Sequence, residues 1–112
     1  MIRVDKPWGH EEIWAKTHQY VGKILHINAG HRLSLQFHKK KEETIRVLYG
    51  QLLLETGMGA DSVIQTLTSG EVFHITPGTI HRFCATDEDV TLLEVSTPEL
   101  SDVVRLEDDY AR

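Results

Sequence analysis

The sequence is poor in cysteine, in net positive charge and in long apolar runs. Its single cysteine, Cys84, has no partner in these 112 residues, which excludes a disulfide within them. The formal net charge of -5 argues against a nucleic-acid partner, because a phosphate backbone would be repelled over most of the surface. No apolar run approaches the roughly 18 residues that a membrane-spanning helix needs, so we expect no membrane partner.

The first residues, MIRVDKPWGHEE, carry acidic side chains where a signal peptide has its apolar segment. We therefore expect a cytoplasmic protein. A chain of 112 residues is long enough for one hydrophobic core of modest size but not for two, so residues 1–112 are predicted to form a single domain.

Short runs of β-branched and apolar residues, separated by turn residues, follow one another along the chain. They lie at 20–29, 44–55, 62–67, 70–75, 81–85 and 90–96. The run at 44–55 reads as a hairpin of two strands that turns at Gly50. Many short strands without a convincing amphipathic helix predict an all-β barrel or sandwich.

The stretch at 30–50, GHRLSLQFHKKKEETIRVLYG, combines side chains that bind metals. Gln36 and His38 are two residues apart, so in a strand they point the same way. Glu43 follows a turn of three lysines, at the start of the next strand. An amide, an imidazole and a carboxylate brought together in this way are the donors that a divalent metal site needs.

A further donor is expected about forty residues later, in GEVFHITPGTIHRFCA at 70–85. Pro77, Gly78 and Thr79 predict a sharp turn, and His81 opens the strand that follows it. We expect His81 to complete the metal site that the first stretch begins.

The two stretches together resemble the cupins, a family of small barrels that hold a metal with two separated motifs. The first motif of the family has glycine, five residues, His-x-His, three or four residues, Glu, six residues and glycine. Gly30, His38, Glu43 and Gly50 fall on that spacing, with Gln36 at the position of the first histidine. In the second motif, Gly70, Gly78 and His81 match, while Thr76 and Ala85 replace the proline and asparagine of the family. The resemblance implies a cupin double-stranded β-helix, or jelly-roll barrel.

Longer stretches narrow the resemblance to one branch of that family. KPWG, GHRLSLQ-x-H, PGT-x-HRF and VVRLEDDYAR together resemble the cupin domain of type II mannose-6-phosphate isomerase, over nearly all of the chain. In that family the domain usually follows a mannose-1-phosphate guanylyltransferase. No Gly-rich phosphate loop precedes the barrel here, so we expect any guanylyl transfer to come from another protein.

This resemblance implies one divalent transition metal, and the positions that match its ligands are Gln36, His38, Glu43 and His81. Glutamine at the first position is usual in the isomerase branch. Nitrogen and oxygen donors without a thiolate fit Zn, Mn, Fe, Co or Ni and do not select among them. Where the family commonly has two histidines and a catalytic arginine, residues 39–41 are lysines, which keep the charge but lose the bidentate fork of arginine.

The reaction that the resemblance implies moves a carbonyl between C1 and C2 of a sugar phosphate. It needs a metal to polarise the oxygens and a base to move one proton. We expect Lys41, Glu42 and Arg82 to be the catalytic residues. The sequence does not choose between Glu42 and three further candidate bases: His26, His31 and His74. Arg46, Arg82 and the lysine run are candidates for receiving the phosphate.

Three functions therefore remain open, each with a sugar or sugar phosphate or another small molecule as the partner. A sugar-phosphate isomerase, or a related enzyme of sugar-nucleotide and polysaccharide supply, is favoured by the resemblance. A metal-dependent oxygenase or lyase is the first alternative, because open metal positions suit those substrates too. A sugar-binding barrel without turnover is the second, and fold alone does not rank them.

A row of apolar residues on the same stretch suggests self-association. Leu33, Leu35 and Phe37 alternate with Gln36 and His38, so they are predicted to point out of the barrel if the latter point in. Three neighbouring apolar side chains rarely face water on a soluble protein. We therefore expect this row to meet a second copy across a two-fold axis, which gives a homodimer.

Overall fold

The computed structural model describes residues 1–110, in which we find eleven β-strands, one turn of 3-10 helix and no α-helix. The strands, β1 to β11 in chain order, are Ile2–Lys6, Gly9–Lys16, Val21–Ile27, Leu35–Phe37, Glu43–Tyr49, Leu52–Thr56, Val63–Leu67, Val72–Ile75, His81–Cys84, Val90–Ser96 and Val104–Glu107. The expected all-β class is confirmed. Within the described residues, no helix is long and apolar enough to cross a membrane.

The strands form two antiparallel sheets. The six-stranded sheet has the order β1-β2-β3-β10-β5-β8, and the five-stranded sheet has the order β11-β4-β9-β6-β7. Because successive strands often fall in different sheets, the chain winds between the two layers and encloses the core. This winding brings the start of β5 in one sheet close to β4 and β9 in the other, where the sequence placed its metal donors.

The expected hairpin at 44–55 is wrong in its pairing, although both strands are present. β5 pairs with β10 and β8, whereas β6 pairs with β7 and β9, so the chain changes sheets between them. Gly50 makes that change with a φ of 82°, and a Cβ there would lie 2.3 Å from the carbonyl oxygen of Asp89. Only glycine fits a left-handed backbone that approaches another strand so closely.

The core lies between the sheets and follows the period of two. In β10, Val90 and Leu92 point inward and are fully buried, while Thr91 and Leu93 face outward. The opposite sheet contributes Leu52 and Leu54 to the same cluster. At about 25 cal/mol per Å² of buried apolar area, these aliphatic side chains supply the main driving force for folding.

The outward apolar row predicted at 33–37 is not present. Arg32 lies opposite Cys84 and Gln36 lies opposite His81, so four residue steps along the first segment face three along the second. The extra residue is a β-bulge that breaks the alternation, and Leu33 therefore points into the core. Leu35 is only 2% exposed in the single chain. The homodimer stays a prediction, without support from this row.

The C-terminal segment up to residue 110 lies on the barrel. β11 pairs with β4 and so extends the five-stranded sheet by one strand. Beyond it, Arg32 donates two hydrogen bonds to the carboxylate of Asp109, at 2.7 and 2.9 Å. The loop between β10 and β11 thus passes beside β4, close to the donors of the predicted metal site.

Candidate metal centre

Three of the four predicted ligands lie together inside one end of the barrel. Glu43 opens β5, His81 opens β9 and His38 follows β4. The Nε2 atom of His38 lies 3.5 Å from one carboxylate oxygen of Glu43, and Nε2 of His81 lies 3.7 Å from the other. Their donor atoms all lie within 4.8 Å of one another, and all three residues are buried. Two strands of the five-stranded sheet, β4 and β9, and one strand of the six-stranded sheet, β5, thus converge on a single point.

The histidine rings are held so that their inner nitrogens face that point. Nδ1 of His81 donates to the carbonyl oxygen of Thr79 at 2.8 Å, and Nδ1 of His38 donates to the carbonyl oxygen of Asp102. A proton on Nδ1 leaves the lone pair of Nε2 free in a neutral imidazole. Hydrogen bonding of the second ring nitrogen is the usual way in which proteins orient a metal-binding histidine.

The inner nitrogens lack any partner among residues 1–110. Nε2 of His38 and Nε2 of His81 are fully buried and accept or donate no hydrogen bond there. Leaving a buried polar atom unsatisfied costs about 1–3 kcal/mol, so proteins rarely do so without a reason. Two imidazole nitrogens and one carboxylate around a common point fit a divalent transition metal, which would satisfy all of them.

Gln36 lies beside this group but is not held in the same way. It pairs with His81 across the two strands, and its side-chain oxygen accepts a hydrogen bond from the Ser34 hydroxyl at 2.7 Å. That oxygen keeps a second lone pair, and Gln36 lines the same cavity as His38. Gln36 as the fourth ligand remains a prediction.

Lys41 points inward and bridges two buried carboxylates. Its Nζ atom lies 3.0 Å from Glu43 and 3.2 Å from Glu94. Burial alone would lower the pKa of Lys41, but the two negative charges outweigh it and raise that pKa, so the ammonium stays charged. Burial also raises the pKa of Glu43, yet the neighbouring imidazole of His38 and the charge of Lys41 bring it down to about 2. Glu43 is therefore ready to bind a cation as a carboxylate.

The other two predicted catalytic residues do not join this group. Arg82 is buried on the opposite side of β9, where it donates hydrogen bonds to the carbonyl oxygens of Leu33 and Glu107. Glu42 is half-exposed and lies 2.6 Å from Nε2 of His74 on the outside of the barrel. Both residues are neighbours in sequence of inward ligands, so the pleat turns them to the other face.

The remaining candidates for the base and for phosphate binding also lie outside the cavity. His26 contacts Thr91 on the outer face of the six-stranded sheet, and His31 hydrogen-bonds the hydroxyl of Tyr110. Arg46 is exposed between two buried neighbours of β5, so it faces outward as well. These candidates therefore do not line the cavity, and their roles stay predictions.

A cavity of about 110 Å³ includes His38 of this group in its lining and is open to the surface. Its lining combines four cationic side chains with one carboxylate and a few apolar groups, and includes Lys6, Trp8, Glu11, Lys23, Leu33, Gln36, His38, Lys41, Leu100, Val103 and Arg105. Lys6 and Lys23 both pair with Glu11, at 4.0 and 3.4 Å. The cavity therefore carries an excess of positive charge and suits an anionic ligand.

Several of these residues were missed from the sequence, and some of them had a signal there. Lys23 shares the buried face of β3 with Val21 and Leu25, and Glu94 shares the buried face of β10 with Val90 and Leu92. A charged residue on the apolar face of a strand must either be paired inside or serve a site. Arg105 had no such signal, because its place depends on how the C-terminal strand pairs.

We expect the affinity for Zn²⁺ to be constant above about pH 6.5 and to fall below it. Burial, offset only in part by the charge of Glu43, lowers the pKa of His81 below its ordinary value of 6.5. The proton therefore competes with the metal only at a lower pH than for an exposed imidazole. Titration against a fluorescent chelator at several pH values measures this dependence. A decline that begins well above neutral pH would contradict it.

Solved structures with the same architecture share little sequence with this chain. KdgF from Halomonas sp. is 18% identical, with a TM-score of 0.77 over 90% of this chain and 91% of that one. A Klebsiella pneumoniae protein with a double-stranded β-helix domain is 19% identical, with a TM-score of 0.75 over 88% and 84%. The capsular polysaccharide assembling protein CapF from Staphylococcus aureus is 17% identical, with a TM-score of 0.83 over 95% and 31%. These likenesses show the fold alone.

The family itself is shown by sequence. No curated protein is similar enough to count as a relative. The family described as mannose-6-phosphate isomerase C-terminal, however, matches residues 1–108, which include both metal motifs and the segment that contacts His38. The chain therefore belongs to the mannose-6-phosphate isomerase C-terminal family, and its fold is the cupin double-stranded β-helix.

Proposed function

We propose that this protein is a metal-dependent isomerase that interconverts the aldose and ketose forms of a sugar phosphate. The observation that carries the proposal is the cavity, in which His38 of the His38, Glu43 and His81 group lies beside an excess of cationic side chains. A sugar phosphate offers vicinal oxygens for a metal and an anionic end for the cations. Family membership supports the same reaction class.

A metal held by His38, Glu43 and His81 would polarise the oxygens on C1 and C2 of the sugar. In the direction from aldose to ketose, a base takes the proton from C2 and returns it to C1, while the hydroxyl proton passes from O2 to O1. Lys41 stays charged beside this point and stabilises negative charge that develops on those oxygens. Glu11 is the carboxylate of the cavity outside the metal group, so we assign the proton transfer to it.

The test is an assay of the Zn²⁺-, Mn²⁺-, Fe²⁺-, Co²⁺- and Ni²⁺-loaded protein with mannose 6-phosphate, glucose 6-phosphate and free mannose. We expect isomerisation of a phosphorylated sugar, lost on metal removal, and equal rates with and without O₂. Glu11→Gln should keep the metal and lose turnover. Consumption of O₂, or release of a cleaved product, would replace this proposal by an oxygenase or lyase, and tight sugar binding without product would make the barrel a binding protein.

Arg105 is the residue that we expect to receive the phosphate. Within residues 1–110 it joins none of the ion pairs that occupy the cavity lysines, and it lies opposite Gln36 in the register of β11 with β4. Arg105→Ala should raise KM for the sugar phosphate about tenfold, since a charged hydrogen bond contributes about 1.5–3 kcal/mol. Its kcat should change much less.

The matched control for this measurement is Arg46→Ala, which removes the same charge from the outer face of the barrel. Steady-state kinetics of both variants, with the phosphorylated and the free sugar, separate a local contact from a general charge effect. Equal changes in the two variants, or an equal change for the free sugar, would show that Arg105 does not bind the phosphate.

A further inference from the structure

The loop between β10 and β11 forms one wall of the cavity. Leu100 and Val103 of this loop line it, and Asp102 lies between them in sequence. Asp102 does not face the metal group with its carboxylate. It contacts instead the turn of three lysines that joins His38 to Glu43, and it does so in two separate ways.

The first contact is made by the side chain. The two carboxylate oxygens of Asp102 accept hydrogen bonds from the backbone N–H groups of Lys39, Lys40 and Lys41, at 3.0, 2.7 and 2.9 Å. Successive N–H groups that converge in this way form a nest for an anion. These bonds lower the pKa of Asp102 to about 2, so the carboxylate is charged and holds the turn at neutral pH.

The second contact is made by the main chain. The carbonyl oxygen of Asp102 accepts the hydrogen bond from Nδ1 of His38, which fixes the tautomer and the direction of that ring. The side chain clamps the loop to the turn, and the clamp keeps the carbonyl where the imidazole needs it. One residue therefore orients both His38 and the backbone that leads to Lys41.

We infer that Asp102 is a positioning residue of the metal centre, which sets the direction of His38 and the shape of the lysine turn without contacting the metal. The inference rests on the metal centre of the proposed function. Loss of an outer partner of a metal-binding histidine typically costs 10–100-fold in metal affinity, which is roughly the effect expected here.

The test compares Asp102→Ala with Asp109→Ala, using Zn²⁺ alone as the probe. Asp109 also anchors the C-terminal part of the chain, through Arg32, but on the outside of the barrel. By competitive titration, Asp102→Ala should bind Zn²⁺ about 10–100-fold more weakly and Asp109→Ala should match the parent. Asp102→Asn, which keeps one accepting oxygen, should fall between the two.

A second measurement does not need the metal. In the metal-free protein, the ¹⁵N shifts of the His38 ring should report a proton on Nδ1, and Asp102→Ala should give a mixture of tautomers while His81 stays unchanged. An unchanged His38 tautomer, or equal loss of Zn²⁺ affinity in Asp102→Ala and Asp109→Ala, would overturn the inference. Absence of Zn²⁺ binding by the parent with the tautomer shift present would instead refute the metal centre.

Discussion

Glu43→Gln should bind divalent metals on the order of a hundredfold more weakly than the parent. The change removes the only anionic donor of the His38, Glu43 and His81 group and leaves two neutral imidazoles and one amide. Breaking a buried charge interaction costs about 3–5 kcal/mol, which corresponds to a hundredfold or more in affinity. Metal content after dialysis, measured by elemental analysis, and titration of the metal-free protein both give this result.

The matched comparison is Gln36→Glu, which adds a carboxylate at the neighbouring position. Because it increases the negative charge around the cation, it should weaken binding less than Glu43→Gln does. His38→Ala and His81→Ala should each lose metal as well. Full metal occupancy in His38→Ala, Glu43→Gln and His81→Ala would disprove the site. Loss of metal with full activity would make the metal structural and refute the mechanism.

Lys41→Met should destabilise the metal-free protein by about 3–5 kcal/mol, because it leaves two buried carboxylates without their cation. Lys40→Met is the matched control, since the Lys40 side chain is exposed and its loss should cost less than about 0.5 kcal/mol. Urea unfolding followed by circular dichroism measures both free energies of unfolding.

The pH dependence of the stability lost in Lys41→Met identifies the cause of that loss. Burial and the charge of Glu43 already raise the pKa of Glu94, and removal of Lys41 should raise it further. A carboxyl whose folded pKa lies above its unfolded value stabilises the protein below the unfolded value, and this contribution is lost as pH rises. The deficit of Lys41→Met should therefore be small in mild acid and grow towards neutral pH. A deficit that does not vary with pH would point to lost packing instead.

The grouping of His38, Glu43 and His81 was predictable from the sequence because the place of each residue in its strand depends on local spacing. Gln36 and His38 lie on one face of a strand by the period of two, and Glu43 and His81 open strands after turns whose residues are visible in the chain. The all-β class followed from the same patterns, whereas the cupin fold was implied by the resemblance of the two motifs to that family. The homodimer and the fourth ligand remain predictions.

The same rule explains where the structure places the predicted catalytic residues. Arg82 follows His81 and Glu42 precedes Glu43, so the period of two turns both away from the cavity, whereas Lys41 shares the face of Glu43. The alternation thus places Lys41 in the cavity and the other two outside it, and the catalytic role of all three stays a prediction. The bulge that moves Leu33 into the core, and the loop that brings Asp102 to His38, depend on long-range pairing and could not be read locally.

The bond between His38 and Asp102 also ties the orientation of a candidate metal ligand to the folding of the C-terminal strands. The two residues are 64 positions apart, and the donors on β4, β5 and β9 all emerge before the loop that orients one of them. Contacts of such separation form late, because the chain must close a long loop before they contribute. A nascent chain that ends before residue 102 carries every ligand and still lacks the bond that aims His38. We therefore expect a chain truncated before Asp102 to bind Zn²⁺ more weakly than the full chain.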